Sequence, residues 1–164
     1  MTIHKNYWEL KDSIVILRIL IGWHFLYEGI IKLYNPDWTS FGYLASAQGP
    51  FKPLFTALTS ESMLGWVDGL NMAALVIVGL TLTLGFFEKT GAFIGMALLA
   101  LYYAAHPSFP WLTEVNAEGS YWFVNKNLIE LAACLVIFQY PTSTYFGLER
   151  LFGKNKTSLK STSL

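Results

Sequence analysis

Four ionisable side chains lie inside one long apolar stretch near the start of the chain. Arg18, His24, Glu28 and Lys32 all fall within residues 12–34. His24–Glu28 and Glu28–Lys32 are each four residues apart, so on a helix Glu28 has a possible partner on either side. Carboxylate, imidazole and ammonium groups at this spacing can hold and transfer protons. The alternative interpretation is that these charges only lock neighbouring helices together.

The element that must position these groups is a membrane-spanning helix. Residues 12–34 would form a helix of roughly 34 Å, against about 30 Å for the hydrocarbon core of a bilayer. A charge at mid-membrane costs about 2.5–3.5 kcal/mol, so these groups must share a side that avoids lipid. At 100° per residue, Arg18, Glu28 and Lys32 do fall on one side, together with Gly22 and Gly29. That side is predicted to face protein or a wet cavity.

The composition indicates an integral membrane protein. The 164 residues are 54% hydrophobic and only 13% charged, whereas soluble domains have about 25% charged residues. The formal net charge is zero, which gives no basis for nucleic-acid binding. Cys134 is the only cysteine, so neither an intrachain disulfide nor a cysteine-ligated cluster can form. We expect the first span to be retained, because residues 45–47 lie too far beyond it to be a signal cleavage site.

Hydropathy predicts an all-α, polytopic membrane four-helix bundle. The spans are predicted at about 12–34, 66–87, 90–106 and 124–140, with Glu61 or Ser62 as a cap for the second. A turn is expected at residues 88–91, and the small residues from Gly91 and Gly95 onward favour close helix packing. Segments 40–48 and 52–58 are predicted to be short interfacial helices, or alternatively an ordered aromatic loop. A single domain covers residues 1–153, with a short interfacial helix near its end and a basic disordered tail at 154–164.

The distribution of positive charge predicts the orientation of these spans. With four spans both termini lie on the same side, and this side has seven of the positive residues, against three on the other. The seven are Lys5, Lys11, Lys89, Arg150, Lys154, Lys156 and Lys160, and the three are Lys32, Lys52 and Lys126. The positive-inside rule therefore places both termini in the cytoplasm and both long loops outside. We expect a multi-pass protein of the bacterial cytoplasmic (inner) membrane.

This orientation brings most of the polar residues of the spans to one level, in the outer half of the membrane. They are Glu28, Lys32, Asp68, Asn71, His106, Asn125, Lys126, Asn127 and Glu130. Lys126 and Glu130 share a helix face and form a second possible proton-handling pair. Arg18 is the exception, in the cytoplasmic half, near Gln139 or Thr83.

A polar pocket roofed by aromatic loops suits a molecule with a polar ring and a lipid tail, such as a quinone. Glu28, Lys32 and Glu130 are the candidate catalytic residues for proton handling. The candidate cofactor-binding residues are Arg18, His24, Asp68, Asn71, His106, Asn125, Lys126 and Asn127. Neither haem nor a metal is expected, because the chain has only three histidines and two of them are predicted at different depths. Without a nucleotide or flavin motif, the electrons must come from a partner.

Two stretches resemble a known family. The first span, with Arg18, Gly22, Glu28, Gly29 and Lys32, resembles the opening helix of the DoxX/DoxD family, and residues 125–131 (NKNLIEL) resemble its fourth helix. The resemblance covers about residues 12–140. It implies a small membrane subunit of an oxidoreductase complex, such as thiosulfate:quinone oxidoreductase, acting with a partner on the outer face. The single cysteine makes thiosulfate chemistry on this chain alone unexpected.

Three functions are compatible with the sequence. The first is a quinone-binding oxidoreductase subunit that accepts electrons from a soluble or membrane-associated redox partner and is not catalytic alone. The second is a non-catalytic membrane anchor or scaffold for a partner enzyme, and the third is a small-solute transporter. The apolar inner half of the bundle disfavours transport, since only Arg18 could line an exit. Contact with membrane lipid is expected in every case, and a homo-oligomer is compatible with all three.

Overall fold

The chain is mostly α-helical. The computed structural model describes residues 3–112 and 120–151, with side chains for residues 10–112 and 121–151. The helices are α1 (Ile3–Tyr34), α2 (Phe41–Ala45), α3 (Lys52–Ala57), α4 (Glu61–Leu84), α5 (Glu88–Ala105) and α6 (Lys126–Gln139). A small hairpin pairs β1 (Ser120–Tyr121) with β2 (Val124–Asn125) in antiparallel register just before α6.

Two of these helices are long and apolar enough to cross a membrane, judged by length and composition. They are Leu10–Tyr34 within α1 and the whole of α4. α1 ends at Tyr34, where the first span was predicted to end, and it begins at Ile3, before the predicted start of that span at residue 12. α4 is displaced from the predicted second span (66–87): it begins at Glu61 and ends at Leu84, and the Gly85 that follows has a left-handed φ of 63°.

The four long helices pack in a closed ring around one apolar core. α1 lies mainly against α4, and α5 mainly against α6, while α4–α5 and α1–α6 contacts complete the ring. The α1–α6 seam has the sparsest contacts of the four. The buried core consists of Phe25, Leu75, Val78, Leu82, Ala92, Leu99, Cys134 and Ile137.

Glycines bring the helices close together, as the small-residue pattern predicted. A methyl group added at Gly79 of α4 would lie 2.5 Å from the backbone of Leu26 in α1. One added at Gly29 would lie 2.8 Å from a methyl of Val76. Gly91, at the start of the predicted stripe on α5, meets Thr81 in the same way. Substituting a larger residue at these positions would push the helices apart.

The two short helices predicted in the first loop are present and cover the end of α5. Leu44 of α2 and Phe55 of α3 are buried with Ala47 and Ala105 in a second apolar cluster. The Gln48 amide donates a 2.8 Å hydrogen bond to the Ala105 carbonyl. The first loop is therefore part of the folded structure.

Several local predictions were wrong or lie outside the described residues. Ser60, not Glu61 or Ser62, precedes α4, and its side chain makes no capping hydrogen bond. The predicted turn at 88–91 is instead the first turn of α5, and the β1–β2 hairpin was not predicted. Part of the second loop (113–119) and the predicted tail (154–164) lie outside the described residues. The predicted C-terminal helix is described only to residue 151, where residues 149–151 are helical.

Candidate functional site

A histidine–carboxylate contact joins the first and last long helices across the α1–α6 seam, where the ring has its sparsest contacts. His24 Nδ1 of α1 lies 3.1 Å from Glu130 Oε1 of α6. The His24 side chain is 38% exposed and that of Glu130 is 17% exposed. The sequence had suggested Glu28 and Lys126 as the respective partners of these two residues. The structure pairs His24 and Glu130 with each other, because the helix ring places them opposite one another.

One turn further along α1, Glu28 and Lys32 form the predicted intrahelical pair. Lys32 Nζ lies 2.5 Å from Glu28 Oε2 and also donates to the Glu28 carbonyl oxygen at 3.3 Å. The Lys32 ammonium lies 5.5 Å from the centre of the Trp38 ring, a distance that allows a cation–π interaction. Glu28 itself remains accessible, with 45% of its side chain exposed.

A shallow pocket on α1 contains ionisable and aromatic side chains together. It has a volume of about 240 Å³ and is lined by Trp23, His24, Tyr27 and Glu28. Trp23 is 60% exposed and Tyr27 is 55% exposed. Because these positions lie on adjacent turns, the pocket has one aromatic side and one ionisable side. The ionisable side continues to Glu130 through the His24 pair.

The first turn of α6 contributes the remaining predicted residues of this site. Asn125 precedes the helix, and its side-chain oxygen accepts a 3.1 Å hydrogen bond from the Leu128 amide, so it is a capping residue. Lys126 is exposed and contributes positive potential at His24 and Glu28. Asn127 lies in the same turn and is partly buried.

Asp68 and Asn71 of α4 have structural hydrogen bonds. Asp68 Oδ1 accepts from the Ser40 amide at 2.9 Å and also from the Ser40 hydroxyl. Asn71 accepts from the Tyr102 hydroxyl of α5. These bonds attach the first loop to α4, and α4 to α5, at the same end of the ring as Glu28.

His106 is part of the contact between α5 and the first loop. Its Nε2 lies 3.0 Å from the Tyr43 carbonyl oxygen, and the two rings are 4.4 Å apart between centroids. The Tyr43 hydroxyl donates to the Tyr102 carbonyl at 3.1 Å. Burial raises the pKa of Tyr43, so its hydroxyl keeps the proton that it donates. His106 thus makes different contacts from the His24–Glu130 pair.

Arg18 is not available to a ligand, contrary to its assignment as a cofactor-binding residue. Its side chain is completely buried, and Nη1 lies 3.4 Å from Glu88 Oε2 at the start of α5. Nη2 donates to the Phe146 carbonyl at 2.5 Å. The prediction of Gln139 or Thr83 as its neighbour missed this partner. A buried guanidinium needs a negative charge more than another neutral polar group.

Glu88 is the residue that the sequence analysis missed. Only 1% of its side chain is exposed, and Oε2 accepts from the amides of Thr142 and Ser143 at 2.7 and 2.6 Å. It therefore joins α1, α5 and the segment after α6. One signal could have identified it, since Arg18 needs a counter-ion in the half that the sequence predicts to be cytoplasmic, and Glu88 is the only acidic residue between the second and third predicted spans.

The structure thus separates the predicted residues into an open site and supporting contacts. The open site comprises His24, Glu28, Lys32 and Glu130, with Lys126 nearby. Within residues 10–112 and 121–151, no three His, Cys, Asp or Glu side chains are grouped to hold a metal ion.

Comparisons with protein-family models, with curated proteins and with solved structures found no match to this chain. The resemblance to the DoxX/DoxD family therefore rests on the sequence motifs alone.

Proposed function

We propose that this chain is a four-span protein of the bacterial cytoplasmic membrane with both termini inside. The support is that each long helix exposes large apolar side chains, far more than a soluble surface tolerates. Examples from α1, α4, α5 and α6 in turn are Ile16, Leu20, Trp66, Leu70, Phe93, Leu101, Ile129 and Leu135. The excess of Lys and Arg that the sequence predicts for the side of both termini favours that side as the cytoplasmic one.

Within this membrane domain, the function best supported is binding of a quinone at the seam between α1 and α6. The observation that carries this proposal is the partly exposed His24–Glu130 pair beside Glu28 and the α1 pocket. Ionisable groups at membrane depth are costly and are usually retained for ligand or proton handling. A purely structural pair would be expected to be covered, as Arg18 and Glu88 are.

Each residue of the open site has a distinct role in this proposal. In its protonated form, His24 can donate a hydrogen bond from Nε2 to a ring carbonyl while Glu130 accepts from Nδ1 and holds the imidazole in place. Glu28, which is half-exposed and held by Lys32, can receive or deliver a proton at the same place. A bound quinone supplies two-electron, two-proton redox chemistry. The electrons come from a redox partner protein, so this chain is a subunit of an oxidoreductase system, as the DoxX/DoxD resemblance implies.

Organic extraction followed by mass spectrometry of the gently purified protein tests this proposal. We expect stoichiometric quinone in the wild type and its loss in a Glu28→Gln/Glu130→Gln double variant that still folds. Glu61→Gln is the matched control, because Glu61 is an exposed carboxylate at the start of α4. That variant should retain the quinone.

A different result would favour the scaffold function. If neither protein contains quinone and added quinone does not bind the wild type, the proposed redox role is wrong. If, in addition, the double variant fails to assemble with its partner enzyme, the polar residues serve assembly. Uptake of a solute by proteoliposomes containing only this chain would instead favour the transporter.

A further inference from the structure

The α1 pocket lies at a depth where exposed aromatic residues need a specific explanation. The midpoint of Leu10–Tyr34 is residue 22, so Trp23 and His24 lie beside the centre of this apolar segment. At 1.5 Å per residue, Tyr27 is only about 8 Å from that centre along the helix axis. Lipid-exposed Trp and Tyr are typically found at the membrane interfaces, about 15 Å from the midplane. Their interfacial role therefore does not explain Trp23 or Tyr27.

The polar side of the same pocket raises a second question. The His24 side chain is 38% exposed and that of Glu28 is 45% exposed, both on a helix that otherwise presents large apolar groups outward. Exposed ionisable atoms at this depth have no water to form hydrogen bonds with. They are costly there unless another molecule offers hydrogen bonds instead. A ligand that covers them must itself be soluble in the hydrocarbon core, because the pocket opens on the exposed side of α1, where lipid would lie.

We propose that Trp23 and Tyr27 are specificity-determining residues that select ligands with a hydrocarbon tail entering sideways from the bilayer. This inference rests on the proposed function, since it assumes a quinone head at His24 and Glu28. The two aromatic side chains are four residues apart and form one wall of the pocket. The head reaches the ionisable wall, while the first units of the tail lie against Trp23 and Tyr27. The tail gains no such contact elsewhere in the pocket, whose other lining residues are ionisable.

Binding of two quinones with the same ring tests this proposal. One has a short isoprenoid tail and the other has none, and both are titrated against the full chain in lipid nanodiscs. We expect Trp23→Leu and Tyr27→Leu each to raise the Kd of the tailed quinone about tenfold, since each removes much of an aromatic contact. The Kd of the tail-free quinone should change less than about threefold. Comparing variants with the same ligand cancels the partitioning of that ligand into the membrane.

The control is Trp66→Leu, the same substitution at an exposed residue of α4 outside the pocket. Trp66 is 76% exposed, and its replacement should leave both Kd values unchanged. If the pocket variants behave like Trp66→Leu, or raise the Kd of both quinones equally, Trp23 and Tyr27 do not select the tail. The proposal of quinone binding would still stand in that case. If the wild type binds neither quinone, the proposed function fails and this inference fails with it. Circular dichroism of each variant establishes that the helices are intact.

Discussion

Replacing Glu88 by alanine should destabilise the protein more than replacing any exposed carboxylate. Glu88 balances the charge of the fully buried Arg18 and accepts hydrogen bonds from the amides of Thr142 and Ser143. The variant would leave a buried guanidinium without a counter-ion and two amides without their acceptor. Removing one partner of a buried pair costs about 3–5 kcal/mol.

The cost of the unpaired guanidinium and the cost of the unpaired amides can be measured separately. Unpaired buried amides cost about 1–3 kcal/mol each, and the terms overlap because Arg18 and the amides share one carboxylate. We therefore expect Glu88→Ala to lower the free energy of unfolding by about 3–5 kcal/mol. The double variant Arg18→Met/Glu88→Ala removes the unpaired charge, so it should be more stable than Glu88→Ala alone. The part of the stability that is not recovered measures the two amides together with the Phe146 carbonyl, which loses its donor in the double variant.

SDS titration in mixed detergent micelles, followed by tryptophan fluorescence, measures the free energy of unfolding. Glu61→Ala is the matched control, because Glu61 also lies in the first turn of a helix but is exposed. The free energy of unfolding of Glu61→Ala should stay within about 0.5 kcal/mol of the wild-type value. If the free energy of unfolding of Glu88→Ala lies within about 0.5 kcal/mol of that of this control, the buried pair does not hold this end of the ring together.

Three further predictions concern packing and the first loop. Gly79→Ala should cost about 1–3 kcal/mol in the same SDS titration because the added methyl meets the α1 backbone, whereas Gly65→Ala has open space and should cost nothing. Tyr43→Phe should flatten the loss of stability above about pH 10, measured by thermal unfolding against pH. Because burial raises the pKa of Tyr43, the unfolded tyrosine ionises first and stability falls as pH rises from its unfolded pKa towards the higher folded pKa. Asp68→Asn should speed proteolysis of the first loop by weakening the bonds from Ser40, and an unchanged cleavage rate would contradict that role.

Much of the helical framework could be predicted from the sequence because its signals are local. The end of α1 at Tyr34 follows from the Asn-Pro-Asp sequence after it, since proline disfavours a helical residue before it. The Glu28–Lys32 pair follows from spacing on one helix. Gly49 and Pro50 separate the two short helices of the first loop, and Pro53 lies in the first turn of α3, where proline is tolerated. Each of these features depends on residues close together in the chain.

The polar contacts between helices could not be predicted in the same way. His24 has Glu28 one turn away, yet it pairs with Glu130, which is brought near by the packing of α6 against α1. Burial of Glu88 depends on the segment after α6 returning to the start of α5. The partner that each of these residues meets depends on the order and rotation of the helices in the ring. Helical spacing gives the face on which a charge lies but not the partner that it meets there.

The contrast between the two polar pairs is the main physical argument for a function at the His24–Glu130 pair. Arg18 and Glu88 are fully buried, and the backbone supplies three hydrogen bonds to them. Such a pair is what a structural role requires, because desolvated charges need their partners within the protein. His24 and Glu130 lie at the sparsest seam of the same ring, partly exposed and next to a pocket. Since the fold can cover a charged pair completely at one end, the exposure of the other pair is better explained by a ligand than by imperfect packing.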